Sequence, residues 1–199
     1  MEIKNSKIIL RDFIEADIDD RIHWETTETE WQMWDAPWEN IDKFNPDQYR
    51  KERLEWLAKN KNENRVRMGF QICINDGRRK HIGWCNAYYI DDNYKYTKEA
   101  GHCTIGIGIP DLTSRRKGYA TYSWKLFIKY LTDNGIRDVY TQTWSGNERV
   151  IGLIKKLGFE ECYREYNFRT VRGQLYDALT FKLNRIKYND FCELTEINE

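Results

Sequence analysis

Hydrophobic residues recur with two different periods along the chain, and the period distinguishes helices from strands. The pair Asn45-Pro46 is typical of a helix start, whereas hydrophobic residues at every second position from 68 to 74 predict a strand. In chain order, the predicted elements are a strand at 7–13, helical sequence to residue 34, a helix from residue 45, strands at 68–74, 81–90 and 102–109, a helix at 118–132, a strand at 137–143, a helix at 148–157 and strands at 163–168 and 175–183.

This order of elements predicts an α/β fold of the α+β type. Its hairpins favour a mixed, mostly antiparallel central sheet of about seven strands, flanked by helices. The pattern does not match a doubly wound dinucleotide-binding fold, in which strands and helices alternate throughout. No repeat or linker divides the chain, so we expect a single domain at 1–184. The stretch 185–199 has little pattern, and we expect a C-terminal tail or a dimer contact there.

Acidic and basic residues are equal in number but unevenly distributed. The chain has 199 residues, with 32 Lys and Arg against 32 Asp and Glu. Eleven acids and one base lie between residues 12 and 42, which we call the acidic segment, and the remainder holds 21 acids and 31 bases. Four of the eight tryptophans lie in the same segment. Carboxylates beside tryptophan rings suit a cationic amine, although solvated acids and core tryptophans would give the same pattern.

Composition also excludes several classes of protein. The five cysteines are widely spaced and form no C-x-x-C pair, so we expect no metal site and no disulfide framework. No hydrophobic run approaches the roughly 20 residues of a membrane-spanning helix, and the first residues do not resemble a signal peptide. We therefore expect a reduced, cytoplasmic protein without a membrane partner. Nucleic acid is not an expected partner either, because the bases form no stripe interleaved with aromatic residues.

A basic loop with one glycine joins the strand at 102–109 to the helix that follows. Residues 115–120 read Arg-Arg-Lys-Gly-Tyr-Ala. Free backbone N–H groups at a helix N-terminus, together with the positive end of the helix dipole, bind anions, and Gly118 allows a close approach of the backbone. The loop therefore indicates a phosphate site, the alternative being a basic surface turn.

This loop resembles the pyrophosphate loop of the GNAT superfamily of acetyl-CoA-dependent N-acetyltransferases, whose pattern is Gln/Arg-x-x-Gly-x-Gly/Ala. Residues 147–159 are similar to the family's segment that starts with Asn and ends with Lys-Leu-Gly-Phe, and residues 104–109 match its preceding strand except at the first position. The resemblance covers roughly residues 6–184 and is closest to the branch of the ribosomal-protein N-terminal acetyltransferases. It implies the GNAT fold, with acetyl-CoA as co-substrate.

The resemblance also implies a cofactor site. The backbone of residues 107–109 would pair with the pantetheine arm, the amides of residues 116–121 would hold the pyrophosphate, and Asn147 would bind near the thioester. The amide of Ile107 is the candidate donor to the oxyanion that forms during transfer. The residues expected to bind the cofactor are Ile107, Gly108, Ile109, Arg115, Arg116, Lys117, Gly118, Tyr119, Ala120, Thr121 and Asn147.

Two catalytic positions of the family are not matched. Thr104 stands where a glutamate often acts as base, and Ile154 stands where a tyrosine often protonates the leaving thiolate. A base must then come from elsewhere, and Asp35 in the acidic segment, acting through water, is the candidate. A merely solvated carboxylate is the alternative reading of Asp35.

The family places its acceptor site in the region of the acidic segment. Trp34, Asp35, Trp38 and Trp144 are therefore expected to bind the substrate. The first expectation is a primary amine of a small polycation, similar to an aminoglycoside or a polyamine. A protein N-terminus is the second, and a non-catalytic module that binds CoA or a partner protein is the third. A homodimer is left open.

Overall fold

The computed structural model describes residues 1–38, 44–59 and 65–196 of the chain. Nine strands and five α-helices lie in these ranges, together with short 3₁₀ helices at Thr29–Met33 and Leu112–Ser114. In chain order, the elements are β1 (Glu2–Lys4), β2 (Ile8–Arg11), α1 (Asp17–Thr26), α2 (Pro46–Lys59), β3 (Gly69–Ile74), β4 (His81–Ile90), β5 (Tyr96–Thr97), β6 (His102–Gly108), α3 (Tyr119–Asp133), β7 (Val139–Trp144), α4 (Glu148–Lys156), β8 (Phe159–Val171), β9 (Gln174–Leu183) and α5 (Arg185–Glu196).

The strands form one mixed sheet in the order β1-β2-β3-β4-β6-β7-β9-β8, with β5 paired to β4. The pair of β6 and β7 is parallel, and the other pairings in the described chain are antiparallel. The predicted fold class is therefore confirmed, but the sheet has nine strands where we expected about seven. The additional strands, β1 and β5, have three and two residues and are too short for a hydrophobic period to reveal.

Helices α3 and α4 pack on one face of the sheet. Trp124, Phe127 and Ile128 of α3 are completely buried there, and the ring of Phe127 meets Phe70 of β3 edge-on with centroids 5.8 Å apart. Ser123, Tyr130 and Leu131 of α3 are buried as well, and Lys125 of the same helix donates a hydrogen bond to Thr195 of α5 at 2.8 Å.

Residues 185–196 form a helix where we expected a tail. Tyr188 of α5 is buried, and its hydroxyl donates to the carbonyl of Lys125 at 3.2 Å. Gly158, with φ +80°, brings the backbone before β8 close to residues 187–188. The division of the chain into a domain and a tail stays a prediction, and residues 197–199 lie outside the described residues.

Helix α1 and the 3₁₀ helix Thr29–Met33 lie on the opposite face of the sheet. Trp24 and Trp31 pack against Trp84 of β4, with centroid distances of 6.0 and 5.3 Å. Arg11 of β2 holds α1 in place through two hydrogen bonds to the buried carboxylate of Asp17, at 2.6 and 2.7 Å. The start of the acidic segment is thereby fixed to the sheet.

Helix α2 begins where the sequence predicts, because the side chain of Asn45 accepts a hydrogen bond from the amide of Gln48 at 3.0 Å. None of the helices that the structure describes combines the length and hydrophobicity of a bilayer-spanning helix.

Candidate active site

The parallel strands β6 and β7 pair over only part of their length. The ladder joins residues 103–105 to residues 139–141, although each strand continues for three further residues. Beyond the ladder, β6 remains paired with β4 and β7 with β9. The two strands therefore separate, and we call the space between residues 106–108 and 142–144 the strand opening.

The backbone of Ile107 lies at the edge of the strand opening. The carbonyl of Ile105 accepts a hydrogen bond from the Thr141 hydroxyl of β7 at 2.9 Å, so the backbone groups of Ile105 face β7. Successive residues of a strand direct these groups to opposite neighbours, so those of Ile107 face the same side as those of Ile105. The ladder has already ended there. Within the described chain, the N–H and C=O of Ile107 are therefore available to an extended ligand.

Helix α3 begins next to the strand opening. The indole N–H of Trp124 donates to the carbonyl of Gly106 at 3.4 Å, which places the first turns of α3 against β6. Gly118 precedes the helix in a left-handed conformation, with φ +81°. Among the residues that the structure describes, the amides of residues 119–121 have no backbone acceptor. These free donors, at the positive end of a 15-residue helix, can bind an anion.

The three consecutive cations of the loop, residues 115–117, do not act alike. The second and third are exposed to solvent. The side chain of Arg115 instead turns inward, where its Nε donates to the carbonyl of Ile109 at 2.9 Å and its Nη2 to that of Pro110 at 3.1 Å. Its remaining nitrogen forms an ion pair with Glu30 of the 3₁₀ helix. The guanidinium of Arg115 therefore stabilises the conformation of the loop.

Three of the four predicted acceptor residues lie together. The carbonyl of Trp34 accepts hydrogen bonds from the indole N–H of Trp144 at 2.8 Å and from the side-chain amide of Asn147 at 2.6 Å. Trp38 meets the Trp144 ring edge-on, with centroids 6.1 Å apart. The side-chain oxygen of Asn147 also caps α4 by accepting from the amide of Val150. Asn147 thus joins α4 to the acidic segment, in addition to its predicted role at the cofactor.

Asp35, the candidate base, is exposed, and its charge acts on Tyr88 of β4. Burial, and to a smaller extent the charge of Asp35, raises the pKa of Tyr88 to about 12. The Tyr88 hydroxyl donates to the side-chain oxygen of Gln142 in β7 at 3.2 Å. Sequence reasoning missed Tyr88 and Gln142. The signal that could have found Tyr88 is its place opposite Thr104 in the paired strand.

The two unmatched catalytic positions contain no ionisable group in the structure either. Thr104 and Ile154 are both completely buried, and the Thr104 hydroxyl donates to the carbonyl of His102 at 3.3 Å. Neither side chain can accept a proton from an ammonium group.

The acidic segment is not the free negative surface that its composition suggests. Five of its described carboxylates form ion pairs with arginines, most of them from distant parts of the chain, and two more contact histidines. The arginine pairs are Asp12 with Arg67, Asp17 with Arg11, Asp19 with Arg50, Glu25 with Arg21, and Glu30 with both Arg115 and Arg149. The histidine contacts are Asp20 with His81 and Glu28 with His23. Glu39 and Asp42 lie outside the described residues. Fewer of these carboxylates are therefore free to bind a cationic amine than the composition suggests.

A cavity of about 360 Å³ adjoins the predicted acceptor residues. It lies between the 3₁₀ helix Thr29–Met33 and the turn of the β8–β9 hairpin, and its lining includes Met33, Pro37, Val171 and Arg172. Its volume and its partly apolar lining suit one or two amino-acid side chains.

Comparison with protein families decides the identity of the fold. A model described as the acetyltransferase (GNAT) domain matches residues 7–160. The chain belongs to the GNAT acetyltransferase family. The resemblance noted from the sequence is thereby confirmed, and the protein is an acetyl-CoA-dependent N-acetyltransferase. A search of curated proteins finds no match.

Solved structures share the fold of this GNAT acetyltransferase. A GNAT acetyltransferase from Bacillus anthracis is 17% identical with a TM-score of 0.65, covering 92% of this chain and 98% of its own. The ribosomal alpha-N-protein acetyltransferase RimL in complex with coenzyme A is 13% identical with a TM-score of 0.67, covering 92% and 97%. A spermidine N-acetyltransferase chimera of Vibrio cholerae SpeG and hSSAT is 16% identical with a TM-score of 0.62, covering 93% and 99%.

Proposed function

We propose that this GNAT acetyltransferase acetylates the α-amino group at the N-terminus of a protein or peptide. The observation on which the proposal rests is the absence of an ionisable side chain at Thr104 and Ile154, both completely buried. Without a base at the strand position, the acceptor must lose its proton easily. This reverses the order of the two acceptor classes that composition suggested.

The cost of deprotonating the acceptor separates the two classes of amine. An alkylammonium with a pKa near 10.4 requires about 4.6 kcal/mol to lose its proton at pH 7, whereas an α-ammonium with a pKa near 7.8 requires about 1 kcal/mol. The difference exceeds a hundredfold in the concentration of the reactive neutral amine. A solvent-exposed carboxylate such as Asp35, acting through water, is sufficient for the weaker demand.

Two groups of backbone donors support the proposed position of acetyl-CoA. The free amides of residues 119–121 face the charge of a pyrophosphate, and the exposed cations Arg116 and Lys117 add long-range attraction. The free N–H of Ile107 suits the strand-like pantetheine arm or the thioester oxygen. A well-aimed amide at that oxygen lowers the activation free energy of acetyl transfer by about 2.7–4 kcal/mol.

The surroundings of Trp34 support a peptide acceptor. The rings of Trp38 and Trp144 meet edge-on, and the Trp144 indole also donates to the backbone carbonyl of Trp34, next to Asp35. An amine can be held there by an aromatic ring and one charge. The cavity next to Met33 has room for a side chain of the acceptor peptide. Proteins of this fold include acetyltransferases of ribosomal proteins and of spermidine, so the fold itself does not choose between acceptors.

A small polyamine is the second candidate. The exposed carboxylate of Asp35 between two tryptophans favours it, whereas the ion pairs of the acidic segment leave fewer charges for a polycation. Membership of the family removes the non-catalytic module from consideration. The cytoplasmic location and the homodimer stay predictions.

The test compares three acceptors by the mass of the acetylated product. Detection by the mass of the product is preferred to detection of free thiol, because Cys162 is itself an exposed thiol. The acceptors are a lysine-free peptide with a free N-terminus, an N-terminally blocked peptide with one lysine, and spermidine. We expect acetylation of the first peptide, with kcat/KM rising to a plateau near pH 8. Turnover of spermidine without turnover of the free peptide would contradict the proposal.

A further inference from the structure

Glu30 lies between the phosphate loop and the predicted acceptor residues. Its carboxylate forms one ion pair with Arg115 of the loop and another with Arg149 of α4, the latter at 3.0 Å. The indole N–H of Trp34 donates to the same carboxylate at 2.9 Å. One side chain thus contacts the loop before α3, the start of α4 and the indole of Trp34.

Each partner of Glu30 is fixed in turn by the site. Arg115 is bound to the carbonyls of Ile109 and Pro110 at the end of β6. The guanidinium of Arg149 stacks 4.0 Å above the ring of Trp34, whose carbonyl is held by neighbouring donors. The phosphate loop is therefore linked to Trp34 by two contacts of the Glu30 carboxylate, the ion pair with Arg115 and the hydrogen bond from the Trp34 indole.

Glu30 remains ionised in this setting. Burial would raise its pKa, but hydrogen bonds from Arg115 and Trp34, with the charges of Arg115 and Arg149, hold that pKa below its ordinary value. The two contacts to arginine are therefore charge-assisted, and they are stronger than neutral hydrogen bonds of the same geometry.

We propose that Glu30 is a positioning residue that couples acetyl-CoA binding to the order of the acceptor side of the active site. An anion at the N-terminus of α3 fixes the loop that contains Arg115, and Glu30 passes this constraint to the 3₁₀ helix and Trp34. The inference rests on the proposed position of acetyl-CoA. It differs from a purely structural role, because it predicts an effect that depends on the ligand.

The test follows amide hydrogen exchange in the full chain with and without CoA. Glu30→Gln keeps an oxygen for the Trp34 indole but removes both ion pairs. Glu2→Gln is the matched control, because Glu2 forms a comparably exposed ion pair with Arg79 in the β1 region of the sheet, outside the active site. In the unaltered protein and the control, CoA is expected to slow exchange in residues 29–34 about fivefold, as two partly exposed ion pairs allow. In Glu30→Gln we expect less than about twofold slowing.

A second measurement separates coupling from loss of folding. Glu30→Gln is expected to bind CoA at the N-terminus of α3, with slowed exchange at residues 119–121, and to raise the KM for the acceptor about fivefold. Full slowing at residues 29–34 in Glu30→Gln, or none in the unaltered protein when residues 119–121 are protected, would overturn the role of Glu30. Failure of the unaltered protein to bind CoA would instead overturn the proposed position of acetyl-CoA.

Discussion

Replacement of Gly118 by alanine tests whether the N-terminus of α3 holds the pyrophosphate of acetyl-CoA. Gly118 has φ +81°, and a Cβ built there would lie 3.5 Å from the nearest atom, in the ring of Tyr122. The methyl group meets no steric obstacle, so the cost in the free protein is the left-handed backbone, about 1–2 kcal/mol. A glycine at the other end of the same helix, Gly135, has φ +87° and open space around it. Gly135→Ala therefore carries a matched backbone cost without touching the phosphate site.

The two variants should differ in ligand affinity but not in stability. Both should melt about 2–8 °C below the unaltered protein. The added Cβ at residue 118 hinders the close approach of the pyrophosphate to the free amides of residues 119–121, and each charge-assisted hydrogen bond lost costs about 1.5–3 kcal/mol. Isothermal titration with CoA should therefore show a Kd about 10- to 150-fold higher for Gly118→Ala and an unchanged Kd for Gly135→Ala.

An unchanged CoA affinity in Gly118→Ala, with the same loss of stability as in Gly135→Ala, would refute this reasoning. The loop at residues 115–118 would then be a basic surface turn. Equal weakening by both variants would mean that the effect comes from stability alone.

Three further predictions concern stability and reactivity. Asp17→Asn removes a buried carboxylate from its paired guanidinium on Arg11. We therefore expect the free energy of unfolding to fall by about 3–5 kcal/mol and Tm by about 10 °C. A fall in Tm of less than about 3 °C would contradict this expectation. The pKa of Asp111 is lowered from its ordinary value of 3.8, since hydrogen bonds from a lysine and a threonine outweigh the effect of burial. The stabilisation of the fold by the ionised Asp111 is thus present above pH 3.8 and is lost as the pH falls below that value. The Tm difference between the unaltered protein and Asp111→Asn should therefore shrink from pH 6 to pH 3. A constant difference would contradict the assignment. Mass spectrometry after brief iodoacetamide treatment should find Cys162 modified in the folded protein and Cys85 modified only after unfolding. The reason is that burial protects the Cys85 thiol and raises its pKa. Early modification of Cys85 would contradict its burial.

Local patterns explain why most of the fold could be predicted. The strand at 68–74 and the helix start at Asn45 depend on alternation and capping within a few residues, and the structure has both. The strands β1 and β5 escaped prediction, because two or three residues show no period. Helix α5 has a weak pattern of its own, and its position depends on the contact between Tyr188 and α3.

The candidate site could be predicted only where its parts are local in sequence. Gly118 and the amides that follow it belong to one loop and one helix turn, so this candidate phosphate site could be predicted from the sequence. The ion pair of Glu30 with Arg115 joins residues 85 positions apart, and no periodicity reveals such a contact. The same reason explains why composition did not reveal the ion pairs of the acidic segment, whose partners, such as Arg50 and Arg67, lie elsewhere in the chain.

The most direct test of the account is an NMR titration of isotope-labelled protein with CoA. If the pyrophosphate and the pantetheine arm bind as proposed, the amide signals of Ile107 and residues 119–121 should shift strongly at saturation, while that of Ile3 in β1 stays unchanged. Saturable binding of CoA that leaves all four of those signals unshifted would contradict the assignment of the strand opening and the N-terminus of α3 as the acetyl-CoA site.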